Sequence, residues 1–251
     1  RMIAQVGLEA PDGAGPAEET CPAPQTVEWV DSDQRAQALL ARWQGQTVGV
    51  LALPDLSVLA VCWGEKGDQV ALFREGALPG YRDFLAGLLG AGIPKLGYHI
   101  KDVMRQALDR GLNAEGFLFD GAIAAYLLAP TDGSYDLDKV GAKYFAVALP
   151  GAKAYLGAKA WQEETGAQKA GQALAAHACL LPPLYRTLPP KLSELGLDRV
   201  YTQVELPLCP VLAEMEKAGV LVDQDALARF GQTLKTGIDV LQEEIWAMAG
   251  D

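Results

Sequence analysis

The sequence predicts an α/β domain with a mixed β-sheet, followed by a long helix. Three short apolar runs at residues 47–53, 57–63 and 69–73 are separated by brief polar turns, which indicates an antiparallel meander. Beyond residue 79, helical patterns alternate with two more short apolar runs, at 94–98 and 116–119. This order of elements is typical of a mixed sheet that carries helices on its faces.

The helices are predicted from apolar residues spaced by three and four. A helix is expected from residue 32 to about 43, with Ala38, Leu39 and Trp43 on its buried side. Asp120 is expected to cap the N-terminus of a helix that follows the second short run. A later helix, within residues 168–185, is expected either to break at the proline pair 182–183 or to restart there.

The C-terminal stretch is expected to contain two helices joined by a brief extended segment at residues 220–222. Residues 205–223 read ELPLCPVLAEMEKAGVLVD, and Pro207 is compatible with the first turn of a helix. Gly219 is expected to end that helix, and Asp223 to cap the next one. The second helix then carries one apolar stripe, formed by Leu227, Phe230, Leu234, Ile238, Leu241 and Ile245.

Composition limits the class of protein. Half of the 251 residues are hydrophobic, so a sizeable core is expected. No apolar run is long enough to span a bilayer, and residues 1–24, rich in Gly, Pro, Ala and Glu, are expected to form a flexible head. The cysteines lie far apart without a CxxC pair, which indicates reduced thiols rather than a zinc site or disulfides.

One family shares the C-terminal pattern. Glu-x-Pro-Leu-x-Pro-Val-Leu, then Met-Glu-x-x-Gly-Val-x-Val-Asp and a long helix, resembles the start of the polymerase domain in bacterial DNA polymerase I, a family A DNA polymerase. The resemblance implies a ribonuclease-H-like 3′–5′ exonuclease fold, vestigial here, at residues 25–200. It also implies that residues 201–251 begin the polymerase domain with thumb helices, and that the chain is a fragment without palm and fingers.

Exonucleases of this family hold two divalent metal ions with four carboxylates, which the resemblance maps onto apolar residues. The Asp-x-Glu motif of the first strand falls on Leu51 and Leu53, and the metal-binding Asp of the second motif falls on Val103. The Tyr-x-x-x-Asp motif falls on His177 and Leu181. Because magnesium needs oxygen ligands, we expect no metal site and no nuclease activity. Mg²⁺ is expected only for the parent polymerase.

Two alternatives remain open. The chain is an active metal-dependent exonuclease if its ligands have moved to Asp55, Asp102 and Asp120. Against this, Asp55 is expected in a turn, Asp102 is expected to point away from the site, and Asp120 is expected to be a helix cap. Alternatively, the domain is a module that binds single-stranded DNA or a protein.

The resemblance and the charge together predict the partners. A formal net charge of −11 disfavours phosphate contacts, so the fragment is expected to bind DNA weakly or not at all. Binding of DNA is therefore expected through the full-length polymerase, as a monomer in the bacterial cytoplasm, with no membrane association.

Overall fold

A computed structural model describes residues 23–250, so the predicted flexible head lies almost wholly outside the described residues. Within this range, one sheet contains the strands β1 (Thr26–Val30), β2 (Val48–Ala52), β3 (Val58–Trp63), β4 (Gln69–Arg74), β5 (Lys95–Gly97) and β6 (Phe117–Asp120). Their order across the sheet is β1-β4-β3-β2-β5-β6. The pairs β2–β3 and β3–β4 are antiparallel, and β1, β5 and β6 pair parallel to their neighbours. The predicted antiparallel meander and the mixed sheet are therefore confirmed.

Helices fill most of the remaining chain. They are α1 (Asp33–Trp43), α2 (Tyr81–Leu89), α3 (Ile100–Asp109), α4 (Gly121–Leu128), α5 (Leu137–Phe145), α6 (Lys153–Leu156), α7 (Glu164–Ala178), α8 (Leu181–Glu194), α9 (Asp198–Val200), α10 (Leu206–Ala218) and α11 (Gln224–Ala249). A 3-10 helix spans Ala158–Trp161, and a π-helix spans Tyr201–Glu205. None of the described helices is both long enough and apolar enough to cross a membrane.

The central strands are buried on both faces of the sheet. On β3, Leu59 and Val61 pack into a cluster with residues of α1 and α2, whereas Ala60 and Cys62 pack into a second cluster with α4, α7 and α8. All four side chains are fully buried. Helices on both faces explain why this strand is apolar throughout rather than alternating.

Several details differ from the sequence predictions. Strand β1 was not predicted; it is an edge strand, and only Val30 of it is buried. Ala36, not Ala38, lies on the buried side of α1, because Ala36 is three residues before Leu39 and so shares its face. The predicted break in the late helix is confirmed, since α8 restarts with the proline pair 182–183 in its first turn.

Helix α10 begins differently from the prediction. Pro207 does not lie in the first turn of a free helix, because α9 and the π-helix run directly into α10 from Asp198. The face of α10 that packs on the domain carries Cys209 and Ala213, which join Ile100 and Met104 of α3 in a small cluster.

The chain divides into two compact units, residues 23–217 and 218–250 of the described range. The first unit contains the sheet and α10. The second contains α11, which begins with the predicted cap: the Asp223 carboxylate accepts a hydrogen bond of 2.8 Å from the amide of Ala226. Gly250 ends α11 with a φ of 87°, a left-handed conformation that glycine adopts easily. The predicted domain boundaries at residues 24 and 200 stay predictions.

Candidate functional site

The first motif lies at the end of β2, where Gly49 and Leu51 are on the strand and Leu53 directly follows it. The alternation of an extended chain places these three residues on one face of the sheet. A methyl group added at Gly49 would lie 2.5 Å from Sγ of Cys62 and 3.2 Å from Cβ of Leu181. Only glycine therefore allows the start of α8 to lie directly on the strand. Leu51, Leu53 and Leu181 accordingly share one apolar cluster, and Leu181 is fully buried in it.

A pocket of about 160 Å³ opens beside this strand. Leu51, Leu53 and Val103 all line it, with Val103 contributed by the first turn of α3. The structure thus brings three of the four predicted motif positions to one cavity and buries the fourth, Leu181, next to it. The other lining residues are Ala52, Pro54, Tyr98, His99, Asp102, Asp136, Leu137, Ala152, Tyr155 and Leu156.

The donors around the pocket do not fit a two-metal centre. The four motif side chains offer no oxygen atom, and magnesium binds through oxygen. Within residues 23–250, no three His, Cys, Asp or Glu side chains cluster in a way that would hold a metal ion. The two carboxylates that line the pocket, Asp102 and Asp136, each lie 3.0 Å from a lysine ammonium, that of Lys101 and of Lys139 respectively.

Asp102 is the one acid of the relocated-ligand alternative that lies at this pocket. It was expected to point away from the site because it precedes Val103 by about 100° of helical rotation. It is among the lining residues, with 57% of its side chain exposed and its carboxylate 3.0 Å from the Lys101 ammonium. The direction of its carboxylate relative to the pocket stays a prediction.

Asp120 caps two helices, which confirms and extends the predicted N-cap. Its carboxylate accepts from the amides of Ala122 at 2.8 Å and Ile123 at 3.3 Å, at the start of α4. It also accepts from the amides of His99 at 3.2 Å and Ile100 at 2.7 Å, at the start of α3. Burial raises the pKa of this carboxyl, whereas the amides of Ile100, Ala122 and Ile123 and the nearby His99 side chain oppose the shift by stabilising the charged form.

Sequence reasoning missed the partner of the Asp120 backbone. The hydroxyl of Tyr201 lies 2.8 Å from the amide nitrogen of Asp120 and 3.1 Å from its carbonyl oxygen, so it accepts from one and donates to the other. Tyr201 opens the π-helix and is buried. These contacts fix the segment before α10 to the end of β6.

His177 is buried at the base of the site. Its Nδ1 lies 2.8 Å from the carbonyl oxygen of Ala173, which places the proton on Nδ1 because a carbonyl only accepts. Its Nε2 has no hydrogen-bond partner within residues 23–250, and its ring packs edge-on against Tyr155 with centroids 5.0 Å apart. Burial lowers the pKa of His177, and the carboxylate of Asp138 partly opposes this shift. The sequence had indicated no acid near this histidine.

Asp55 is a turn residue, as predicted. Its carboxylate accepts from the amide of Ser57 at 3.0 Å and from the hydroxyl of Ser57 at 2.6 Å. These bonds hold the turn between β2 and β3. Asp55 is not among the residues that line the pocket of Leu51 and Leu53.

Two tyrosines of the pocket were not predicted from the sequence. Tyr98 follows β5, and its hydroxyl donates to the carbonyl of Tyr135. Tyr155 lies on the one-turn helix α6, where the indole N–H of Trp161 donates to its backbone carbonyl at 2.7 Å. Nothing in the local sequence marks these rings, because the chain segments that bring them to the pocket are far apart.

Similar solved structures show the fold of this chain. The POL domain of Pol1 from M. smegmatis, in complex with DNA primer-template and dNTP, matches with a TM-score of 0.67 and 24% identity, over 90% of this chain and 38% of that one. Brucella melitensis NrnC bound to pGG matches with a TM-score of 0.60 and 17% identity, over 77% of this chain and 94% of that one. RNase D of Escherichia coli, an exoribonuclease, matches with a TM-score of 0.56 and 16% identity, over 80% of this chain and 53% of that one. The fold is the ribonuclease-H-like 3′–5′ exonuclease fold, followed by long helices.

Curated relatives of the chain are bacterial DNA polymerases. DNA polymerase I of Rhizobium leguminosarum is 43% identical over 68 residues, which is 27% of this chain and 7% of the relative. DNA polymerase I of Geobacillus stearothermophilus is 29% identical over 141 residues, 56% of this chain and 16% of the relative. No protein-family model matches. The chain is related to bacterial DNA polymerase I, and it spans less than a fifth of the length of these relatives.

Proposed function

We propose that the chain is part of a bacterial family A DNA polymerase and that its exonuclease-like domain is structural rather than catalytic. In this proposal, residues 25–200 form the vestigial exonuclease domain and residues 201–251 begin the polymerase domain. Template-directed DNA synthesis belongs to the whole polymerase, which would use Mg²⁺. The relatives and the fold support the family; the loss of cleavage is inferred from the site.

One observation carries the inferred loss of cleavage. Three side chains at motif positions line the same pocket, and all are hydrocarbon: Leu51, Leu53 and Val103. Two-metal hydrolysis requires carboxylates there to hold the ions that activate water and stabilise the leaving oxygen. A fourth hydrocarbon side chain, Leu181, is packed against the same strand, so replacement of the ligands is consistent across the site.

The relocated carboxylates of the alternative are already engaged. Asp120 accepts four backbone N–H bonds and is buried, and Asp55 is bonded to Ser57. Asp102 is the remaining candidate, since it lines the pocket and is more than half exposed. Asp136 also lines the pocket, but both carboxylates are paired with lysines, which makes them a weak ligand set for a divalent ion.

The charge of the chain supports a minor role in holding DNA. A net charge of −11 makes close approach of phosphates unfavourable. Contacts with DNA are accordingly proposed for the rest of the polymerase, and this chain is expected to bind an oligonucleotide weakly or not at all.

The direct test is release of nucleotides from an end-labelled single-stranded oligonucleotide in magnesium and then in manganese. We expect no degradation above a protein-free blank. The Asp102→Ala variant tests the remaining ligand candidate, and Asp109→Ala, two turns further along α3, is the matched control. Degradation from the 3′ end that Asp102→Ala abolishes and Asp109→Ala preserves would overturn the proposal and establish a rebuilt nuclease site.

A further inference from the structure

The pocket at the former nuclease site has the size of a single aromatic ring. Its volume is about 160 Å³. A cavity of roughly 150 Å³ lined by Leu, Ile and Phe side chains is known to bind benzene. Leu51, Leu53 and Val103 provide comparable hydrocarbon walls, so a six-membered ring fits where metal ions would not.

Two further walls are aromatic and held in place. The hydroxyl of Tyr98 is bonded to the carbonyl of Tyr135, and the ring of Tyr155 packs edge-on against His177. Both tyrosines are buried, with at most 6% exposure. A ligand ring would meet rigid aromatic surfaces and gain stacking or edge-to-face contacts without ordering mobile side chains first.

The charged side chains that face the pocket determine the sign of charge that a ligand can carry. Asp102 and Asp136 line it, and no lysine or arginine is among the lining residues. Lys101 and Lys139 pair with these carboxylates at 3.0 Å, but neither lysine is among the lining residues, so carboxylates rather than ammonium groups face a ligand. A phosphate or carboxylate group in the pocket would meet Asp102 and Asp136 directly, whereas an ammonium group would be attracted to them.

We propose that this pocket binds a small molecule made of one aromatic ring and a positively charged amine. The ring occupies the space between the leucines and the tyrosines, and the ammonium group lies between Asp102 and Asp136. The inference rests on the proposed function in one respect, because it assigns the pocket to binding after cleavage has been lost.

Methyl NMR of the whole chain, titrated with benzylamine, tests the proposal. We expect saturable shifts centred on the methyl groups of Leu51, Leu53 and Val103, with a Kd of about 1 mM or tighter, as befits a ligand of eight heavy atoms. Benzoate, of similar size and opposite charge, should bind at least about tenfold more weakly because of the two carboxylates. No saturable shift with benzylamine, or equal binding of benzoate, would refute the proposal.

Two variants test separately how the aromatic ring and the positive charge of the ligand contribute to binding. Leu53→Trp should abolish binding by filling the pocket, and its methyl spectrum reports whether the fold survives. Asp102→Asn should weaken benzylamine binding about threefold or more and leave benzyl alcohol unaffected, whereas Asp109→Asn, at the far end of α3, should change neither. Unchanged benzylamine binding by the Asp102→Asn variant would show that the ammonium group does not lie beside Asp102.

The two experiments distinguish a failure of this ligand proposal from a failure of the proposed function. If the oligonucleotide is cleaved and benzylamine still binds, the loss of cleavage is wrong and the aromatic pocket stands. If the oligonucleotide is stable and benzylamine does not bind, the site is vestigial without this ligand.

Discussion

Two places in the domain show opposite treatments of a buried carboxylate. At the end of β6, Asp120 is kept and accepts four backbone N–H groups. At the end of β2, the two positions that resemble a metal-binding Asp-x-Glu motif are Leu51 and Leu53. The two places differ in what compensates the cost of burying a carboxylate. Helix N-termini that belong to the fold stabilise Asp120 permanently, whereas carboxylates on β2 would depend on bound metal and are costly without it.

The largest effect is expected from breaking the first region. Asp120→Ala would leave four N–H groups at two helix starts without their acceptor, so the free energy of unfolding should fall by roughly 3–5 kcal/mol. Urea denaturation measures this change. Asp102→Ala is the matched control on an exposed carboxylate and should change stability by less than about 0.5 kcal/mol. Equal effects of the two substitutions would contradict the capping account.

Restoring an acid in the second region sharpens the comparison. Leu51→Asp removes buried hydrocarbon and adds a carboxylate without donors, so we expect a loss of about 2–4 kcal/mol. Addition of magnesium should not recover this loss, because Leu53 and Val103 supply no oxygen and the Asp102 and Asp136 carboxylates are paired with lysines.

Exposed Leu208 on α10 provides the control for Leu51→Asp. Leu208→Asp makes the same chemical change at a side chain that is 39% exposed, and should cost less than about 1 kcal/mol. Recovery of the stability of Leu51→Asp by millimolar magnesium would mean that the pocket still holds metal.

His177, a buried base, tests whether burial of an ionisable group affects stability at a third place in the domain. The pKa of His177 is lowered by burial from its usual 6.5, so the unfolded chain binds a proton more readily than the folded chain. The free energy of unfolding should therefore fall as the pH drops below about 6.5. His177→Phe should make this fall smaller, as measured by urea midpoints at pH 7.5 and 5.5.

The other histidine is the control for this pH dependence. The chain contains two histidines, and His99→Asn leaves His177 intact in the same fold. Asparagine suits the left-handed backbone of residue 99, where φ is 54°. If the pH dependence of stability persists in His177→Phe and disappears in His99→Asn, its source is His99 rather than His177. That result would contradict the account.

The smallest effect is expected at the surface pair that joins α3 to α10. Lys101 lies 2.6 Å from Glu216, and both side chains are partly exposed. A double-mutant cycle with Lys101→Met and Glu216→Gln should give a coupling of roughly 0.2–1 kcal/mol, decreasing with salt. A coupling as large as the Asp120 effect would mean that the attachment of α10 depends on charge rather than on Cys209 and Ala213.

Local patterns predicted most of the fold. The meander and α1 could be predicted because short apolar runs and helical spacing are visible in the sequence. Strand β1 could not, since an edge strand with one buried residue has little apolar signal. Helix α8 continues through Pro189 and Pro190 because buried neighbours, Leu188 and Leu192, compensate for helix breaking, and tertiary packing of this kind is not visible locally.

The site was partly predictable. The resemblance assigned Leu51, Leu53 and Val103, and the two segments that carry them, β2 with the residue after it and α3, meet at the pocket. The pocket itself was not predictable, because Tyr98 and Tyr155 reach it from loops and a one-turn helix whose positions depend on long-range contacts. Helical rotation predicts the direction of the Asp102 side chain but not how close residue 102 lies to the cavity, which depends on the packing of α3 against the sheet.

The central claim is that hydrocarbon has replaced the metal ligands, and manganese binding followed by NMR tests it most directly. Mn²⁺ at a nuclease-like site would broaden nearby methyl resonances selectively. We predict no selective broadening of Leu51, Leu53 or Val103 up to millimolar Mn²⁺. Selective broadening of these methyls, which Asp102→Ala removes, would contradict the account and show that the pocket still holds a catalytic ion.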